Sequence, residues 1–166
     1  MPITVTFKGN PMHLVGDPPA EGQPAPDFTA LDAGLQPVSL FSLRGAPVVL
    51  NVVPSLDTPV CERQTRHLAE EAAKAGFKLV TLSMDLPFAQ KRFCETFQLP
   101  NVVTLSDFKD RQAAHTWGLG IQELGLLARA VFVLDSNGVI RHRQIVPEIA
   151  QEPDYEPALK TVKQLL

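Results

Sequence analysis

Cysteine is scarce in this chain, with two in 166 residues, beside one tryptophan and one tyrosine. Two cysteines cannot build the disulfide framework of a small secreted domain. Residues 62 to 64 are Glu, Arg and Gln, so Cys61 does not open a C-x-x-C motif, which argues against an ordinary thioredoxin-type dithiol. His13, His115 and His142 show no ligand spacing with Cys61 or Cys94, which argues against a zinc site.

Long apolar runs are missing as well. None approaches the ~18 residues that crossing a bilayer requires. The first residues, MPITVTFKGN, lack the basic head, apolar middle and small-residue cleavage site of a signal peptide. The expected compartment is the cytoplasm, where thiols are kept reduced and any disulfide is transient. Net charge is −3, and the scattered Lys and Arg form no basic stripe, so nucleic acid is not an expected partner. What remains is ordinary for a globular protein: 45% hydrophobic and 20% charged residues, and a length suited to one domain, 1–166, with a real core.

The stretch ITVTFKGNPMHLVG alternates polar and apolar residues around Gly9-Asn10 and predicts a β-hairpin within 1–16. DPPAEGQPAPDF, rich in Pro and Gly, predicts an extended surface connection. VVLNVV (48–53) is β-branched and continuous apart from Asn51, which suits a strand covered on both faces. A helix is expected from Pro59 to Ala75, closed by Gly76, with Glu62–Arg66 and Glu70–Lys74 as i,i+4 pairs. FKLVTLS (77–83) is the next strand, which completes a right-handed βαβ unit.

A second helix is predicted over 87–97 with Ala89, Phe93 and Phe97 facing the core. A short strand at 102–105 and a short helix over 111–117 follow. AVFVLDSNGVIRHRQIV (130–146) predicts a hairpin turning at Asn137-Gly138. Tyr155, Ala158, Leu159, Val162 and Leu166 recur at helical spacing. A βαβ half joined to a hairpin and a helix is the order of a thioredoxin-like sheet.

The octapeptide PSLDTPVC (54–61) stands where the buried strand becomes a helix. Thr58 is a good N-cap and Pro59 a good first helical residue, which makes Cys61 the third helical position. Its sulfur is expected beside backbone N–H groups that have no carbonyl partner, and within reach of solvent. A helix start favours negative charge by ~0.3–1 kcal/mol, about 2 at best. Making a thiol a hundredfold stronger as an acid requires ~2.7 kcal/mol, so a cation is needed. Arg129, the only charge in LLARAVFVL, is the candidate. From spacing alone it could equally pair with a carboxylate or cap a loop, and Cys61 could be a small buried hydrophobe. His67, almost two turns down the helix, is not placed to act as base. Cys94, in LPFAQKRFC, lies on the flank of the Phe93/Phe97 face. There it is either core filler or a partner for Cys61 that requires both helices to loosen.

PSLDTPVC fits the P-x-x-x-T-x-x-C signature of peroxiredoxins. DLPFAQKRFC, GLLARAVFVLD and PEIAQEPDYEPAL resemble thiol peroxidases of the atypical 2-Cys class, and the resemblance spans nearly the whole chain. It implies an α/β, thioredoxin-like fold, a mixed central sheet flanked by helices with an N-terminal hairpin. It implies that Cys61 is the peroxidatic nucleophile and Cys94 the resolving cysteine. Pro54 would shield the thiolate, Thr58 hydrogen-bond to it and to the peroxide, and Arg129 hold both. The implied activity is reduction of hydrogen peroxide and organic hydroperoxides, with thioredoxin as reductant, a homodimer as the assembly and no metal or organic cofactor. Leu56, Leu86 and Phe88 are candidates for an apolar substrate rim, or for core. GLGIQELGLLARA is shorter than the corresponding loop of these relatives before the Arg. Two rival readings stay on the table: a thiol–disulfide oxidoreductase on the same fold, against which the missing C-x-x-C argues, and a non-catalytic redox sensor.

Overall fold

The computed structural model describes residues 3–166; the first two residues of the expected 1–16 hairpin lie outside them. Strands β1 (Thr4–Phe7) and β2 (Asn10–His13) pair antiparallel from Thr4↔His13 to Phe7↔Asn10. The turn is Lys8-Gly9, one residue earlier than expected. Both have positive φ, 51° and 82°, as a two-residue hairpin turn demands, and Asn10 already lies in the strand.

The main sheet has seven strands. They are β3 (Thr29–Leu31), β4 (Pro37–Ser39), β5 (Val48–Val52), β6 (Lys78–Ser83), β7 (Val103–Ser106), β8 (Ala130–Leu134) and β9 (Ile140–Ile145). Their spatial order is 4-3-7-6-5-8-9. β5, β6 and β7 run parallel, while β8 is antiparallel to β5 and to β9. The sheet is the mixed, thioredoxin-like one expected. β3 and β4 were not foreseen, because three-residue strands are too short for alternation to register. The Pro-rich segment before them is extended but not a surface strip. Ala25 and Phe28 are buried, and the Trp117 indole N–H donates to the Pro26 carbonyl at 2.7 Å.

Every residue of β5 is buried, and its side chains alternate between two layers. Val48, Leu50 and Val52 face one core, with Ala113 of α3 (Gln112–Thr116) and with Trp117, which follows that helix. Val49 faces the other, with Leu68 of α1 (Pro59–Ala75) and Leu159 and Val162 of α4 (Tyr155–Leu165). Val53, just beyond the strand, packs on Phe93 of α2 (Pro87–Thr96).

α1 begins and ends as predicted. The Thr58 hydroxyl accepts from the Cys61 N–H, and Gly76 closes the helix at φ 86°. Glu62–Arg66 forms at 3.4 Å. Glu70–Lys74 does not: Lys74 reaches Glu71 instead, which also takes Lys163 from α4, so packing of the two helices selects the acid. On α2 the buried positions are Pro87, Gln90 and Phe93, with Ala89 and Phe97 only half-buried. The helix is rotated from the expected face because the Gln90 amide finds the Ser83 hydroxyl at 3.0 Å and the Leu105 carbonyl at 2.9 Å. On α4, Ala158, Leu159 and Val162 are buried as expected, whereas Leu166 is past the helix end and exposed.

Candidate active site

Asn51, the one polar residue in β5, explains how α1 is held. Its side-chain amide donates to Thr65 at 2.9 Å and Thr81 at 3.1 Å, and its carbonyl accepts from Gln64 at 2.6 Å. All four residues are buried. Satisfied buried networks of this kind fix rotamers and register. Here they fix the first two turns of α1 over the sheet, and with them Cys61.

Arg129 enters from the segment leading into β8. It is 2% exposed, and each nitrogen of its fork has a partner. Nε donates to the Ile149 carbonyl at 2.7 Å, Nη1 to Gln64 Oε1 at 3.0 Å, and Nη2 to Cys61 Sγ at 3.2 Å. The carboxylate ion pairs of the other arginines, Arg63–Glu152, Arg66–Glu62 and Arg141–Asp135, leave Arg129 out. Of the readings open at the level of sequence, Arg129 does cap a loop carbonyl, but the sulfur is its third partner where a carboxylate was the alternative. A desolvated guanidinium costs several kcal/mol unless it is hydrogen-bonded and balanced by an anion.

Thr58 spends its hydroxyl on the backbone. It accepts from the Cys61 N–H at 3.2 Å and donates to the Ser55 carbonyl at 3.3 Å. The Cys61 N–H is therefore taken by the cap rather than left for the sulfur. Cys61 itself has no exposed surface, where the sequence reading placed the sulfur within reach of solvent. It is covered because Val53, Leu56 and Phe93 close around it.

A cavity of about 370 Å³ lies beside it, with Pro54, Ser55, Thr58 and Arg129 in its wall. Leu124 and Leu126 supply a second wall, and Phe7, Lys8, Ile149 and Ala150 a third. The structure thus gathers Pro54, Thr58, Cys61 and Arg129 in one place. Leu56, Leu86 and Phe88 do not line this cavity: Leu56 is buried in the cluster with Cys61, and Leu86 and Phe88 are exposed on α2 and its approach. The loop before Arg129 contributes Leu124 and Leu126.

Cys94 is half-buried and packs against the cluster that contains Cys61; both cysteines are free. Burial, and secondarily the charge of Glu95, pushes the Cys94 thiol up from its ordinary value. A larger cavity, about 440 Å³, flanks Cys94 with Lys91, Glu95 and Leu99, away from Arg129. His67 packs against Tyr155 in a tilted ring contact, 4.3 Å between centroids, and takes no part in the site.

Five contributors were not foreseen from the sequence. Gln64 and Asn51 carried a signal, since a polar residue one turn past Cys61 and another inside a buried strand invite each other. The Ile149 carbonyl and the hairpin residues Phe7 and Lys8 carried none, because they come from opposite ends of the chain.

A sequence profile described as Redoxin matches residues 20–159. A thiol peroxidase of Staphylococcus haemolyticus is 47% identical over 161 residues, covering 97% of this chain and 98% of the relative. One from Halalkalibacterium halodurans is 46% identical over 164 residues, covering 98% and 99%. Among solved structures, a peroxiredoxin-like protein from Aquifex aeolicus superposes with a TM-score of 0.90 at 42% identity, covering 98% of this chain and 97% of its own. A thiol peroxidase from Chromobacterium violaceum reaches 0.89 at 20% identity, covering 98% and 96%, a likeness of fold alone.

Proposed function

The chain belongs to the Redoxin family and is a thiol-dependent peroxidase, and we propose that Cys61 is its peroxide-reacting nucleophile and Cys94 its resolving cysteine. One observation carries the first assignment. The fully buried guanidinium of Arg129 has two neutral oxygens and the Cys61 sulfur as its partners, so the sulfur is the group placed to balance its charge as thiolate.

The Cys61 thiolate attacks one peroxide oxygen, the O–O bond breaks, and Cys61 becomes a sulfenic acid. The departing oxygen takes a proton and leaves as water or an alcohol. Arg129 stands where charge develops on the oxygens, and donors fixed in advance are the largest source of rate in such steps. Thr58, its hydroxyl held between the Cys61 N–H and the Ser55 carbonyl, serves by fixing the turn that carries Cys61. Pro54 walls the sulfur from bulk water. The apolar cavity lining favours organic hydroperoxides, with Leu124, Leu126 and Phe7 against the organic group.

Cys94 then attacks the Cys61 sulfur. A disulfide forms, the S–O bond breaks and the oxygen leaves as water with the Cys94 proton. A dithiol protein of the thioredoxin type returns both thiols by exchange. The chain is read as one domain, 1–166, acting in the cytoplasm as a homodimer without a metal or organic cofactor. No helix of the described residues is long and apolar enough to cross a membrane.

Intact-mass measurement before and after peroxide tests the scheme. Loss of two hydrogens, reversed by thioredoxin and absent in Cys61→Ser, is the expected result. Undiminished turnover in that variant would remove Cys61 from the role. Stoichiometric oxidation without turnover would favour a sensor, and efficient reduction of protein disulfides would favour an oxidoreductase.

A further inference from the structure

Resting on the assignment of Cys94 as the resolving cysteine, we propose that Asp85 is a latch that sets how fast Cys94 reaches oxidised Cys61. Asp85 follows β6 and precedes α2, so it stands between the segments that carry the two cysteines. Its side chain binds the loop in front of α1: Oδ1 accepts from the Ser55 hydroxyl at 2.8 Å and Oδ2 from the Leu56 N–H at 2.7 Å. Oδ2 also accepts from the Ser83 hydroxyl at 2.7 Å, and the Asp85 carbonyl takes the Ser106 hydroxyl. Thr58, the cap of the Cys61 helix, bonds in turn to the Ser55 carbonyl through both its N–H and its hydroxyl. The Asp85 carboxylate therefore ties the loop before α1 to the end of β6, while its backbone carbonyl holds the end of β7 and the residue itself stands at the root of α2.

The helix held by this latch is built to give way. α2 has no side-chain N-cap, and its first turn carries no acid. Leu86 and Phe88 at its start are half or more exposed. Gln90, fully buried in its core face, leaves Oε1 without a partner. Immediately beyond its end, Gln98 holds a left-handed backbone at φ 56°. Segments with few satisfied contacts are the ones that open locally. A disulfide needs its sulfurs ~2.05 Å apart, whereas in the reduced protein the two cysteines lie on separate packed helices with no bond between them. Loosening of the Ser55–Thr58 loop and of α2 is the movement that brings them together, and both ends of it are tied to Asp85.

The latch sets a competition. Resolution converts the Cys61 sulfenic acid and the Cys94 thiol into a disulfide and water. A second peroxide instead transfers an oxygen to the sulfenic sulfur, giving a sulfinic acid and water or an alcohol. A tight latch keeps Thr58 in place for the first step but prolongs exposure to the second peroxide.

The test is a single-turnover experiment with one equivalent of hydrogen peroxide, quenched at intervals and read by intact mass, on wild type, Asp85→Asn and Ser55→Ala. Val162→Ala, in the core under α4, serves as a control for general loss of stability. Asp85→Asn keeps one acceptor and loses the other. It is expected to form the disulfide about fivefold faster, the ratio that loss of one ordinary hydrogen bond gives, and to yield less sulfinic acid under excess peroxide. Ser55→Ala should shift both in the same direction, and Val162→Ala neither. Wild-type rates in Asp85→Asn and Ser55→Ala, or equal acceleration in Val162→Ala, would overturn the latch while leaving the cysteine assignments intact. A wild-type protein that forms no Cys61–Cys94 disulfide would overturn both.

Discussion

Arg129 places Nη2 3.2 Å from the sulfur of Cys61, although one residue leads into β8 and the other lies in the first turn of α1. The contact is made in a fully buried setting, and the same guanidinium holds Gln64 and the Ile149 carbonyl. One side chain thus ties the start of α1 to the segment entering β8 and to the loop at Ile149.

Replacement of Arg129 by Ala should lower kcat/KM for peroxide about 10²-fold, the usual cost of one preplaced donor to a developing anion. It should also slow alkylation of Cys61 at neutral pH. Arg129→Lys should recover only part, because an ammonium supplies the charge but not the planar fork that meets three partners. Steady-state kinetics and iodoacetamide rates check both; an Ala variant with wild-type values in each would remove Arg129 from the chemistry.

Alkylation of wild-type Cys61 should outrun that of free glutathione even though the residue is fully covered. The reagent must enter by the cavity at Pro54 and Thr58, and activation of the sulfur by the Arg129 contact is to outweigh the loss in access. A slower rate than glutathione would mark the cysteine as inert and overturn its assignment.

Cys94→Ser should consume about one equivalent of peroxide and then stall with thioredoxin. In the unaltered protein, burial and then Glu95 both disfavour the Cys94 thiolate. Resolution should therefore quicken as pH rises into the alkaline range. Glu95→Gln removes a negative charge, favours the thiolate and should speed disulfide formation at pH 7. A flat pH profile for that step would show that another event limits it.

The hairpin that walls the cavity is held by Glu148. Its carboxylate accepts from the backbone N–H groups of Ala150, Gly9 and Lys8 and from Thr6, which lowers it from the ordinary 4.5 to about 2. A carboxyl group depressed on folding adds stability above its unfolded value and loses it as pH falls through the folded one. Amide protection in the hairpin should decline between about pH 4.5 and 2, and Glu148→Gln should show reduced protection already at neutral pH. Unchanged exchange in the variant would refute the role.

Gly118→Ala should destabilise the fold by about 2 kcal/mol or more. At φ 65° an added Cβ would lie 2.6 Å from the Gly16 carbonyl carbon and 2.7 Å from the Asp17 nitrogen, both rigid backbone. Thermal unfolding reads the effect directly, and an unshifted midpoint would refute it.

Local chemistry was legible wherever near neighbours decide it. Thr58-Pro59 and Gly76 marked both ends of α1, the apolar run interrupted only by Asn51 marked β5, and Asn137-Gly138 marked the β8–β9 turn. These are backbone preferences of a few consecutive residues, so the sequence carries them without tertiary help. The octapeptide ending in Cys61 likewise marked a cysteine in the first turn of a helix. Contacts between remote segments were another matter. Which acid Lys74 meets, which face of α2 is buried, and that Phe7, Lys8 and Ile149 wall the cavity followed only from packing. Each depends on distances between chain segments far apart in order, and those distances exist only once the sheet has closed. The same closure buried Cys61 completely, which no local pattern around residue 61 encodes.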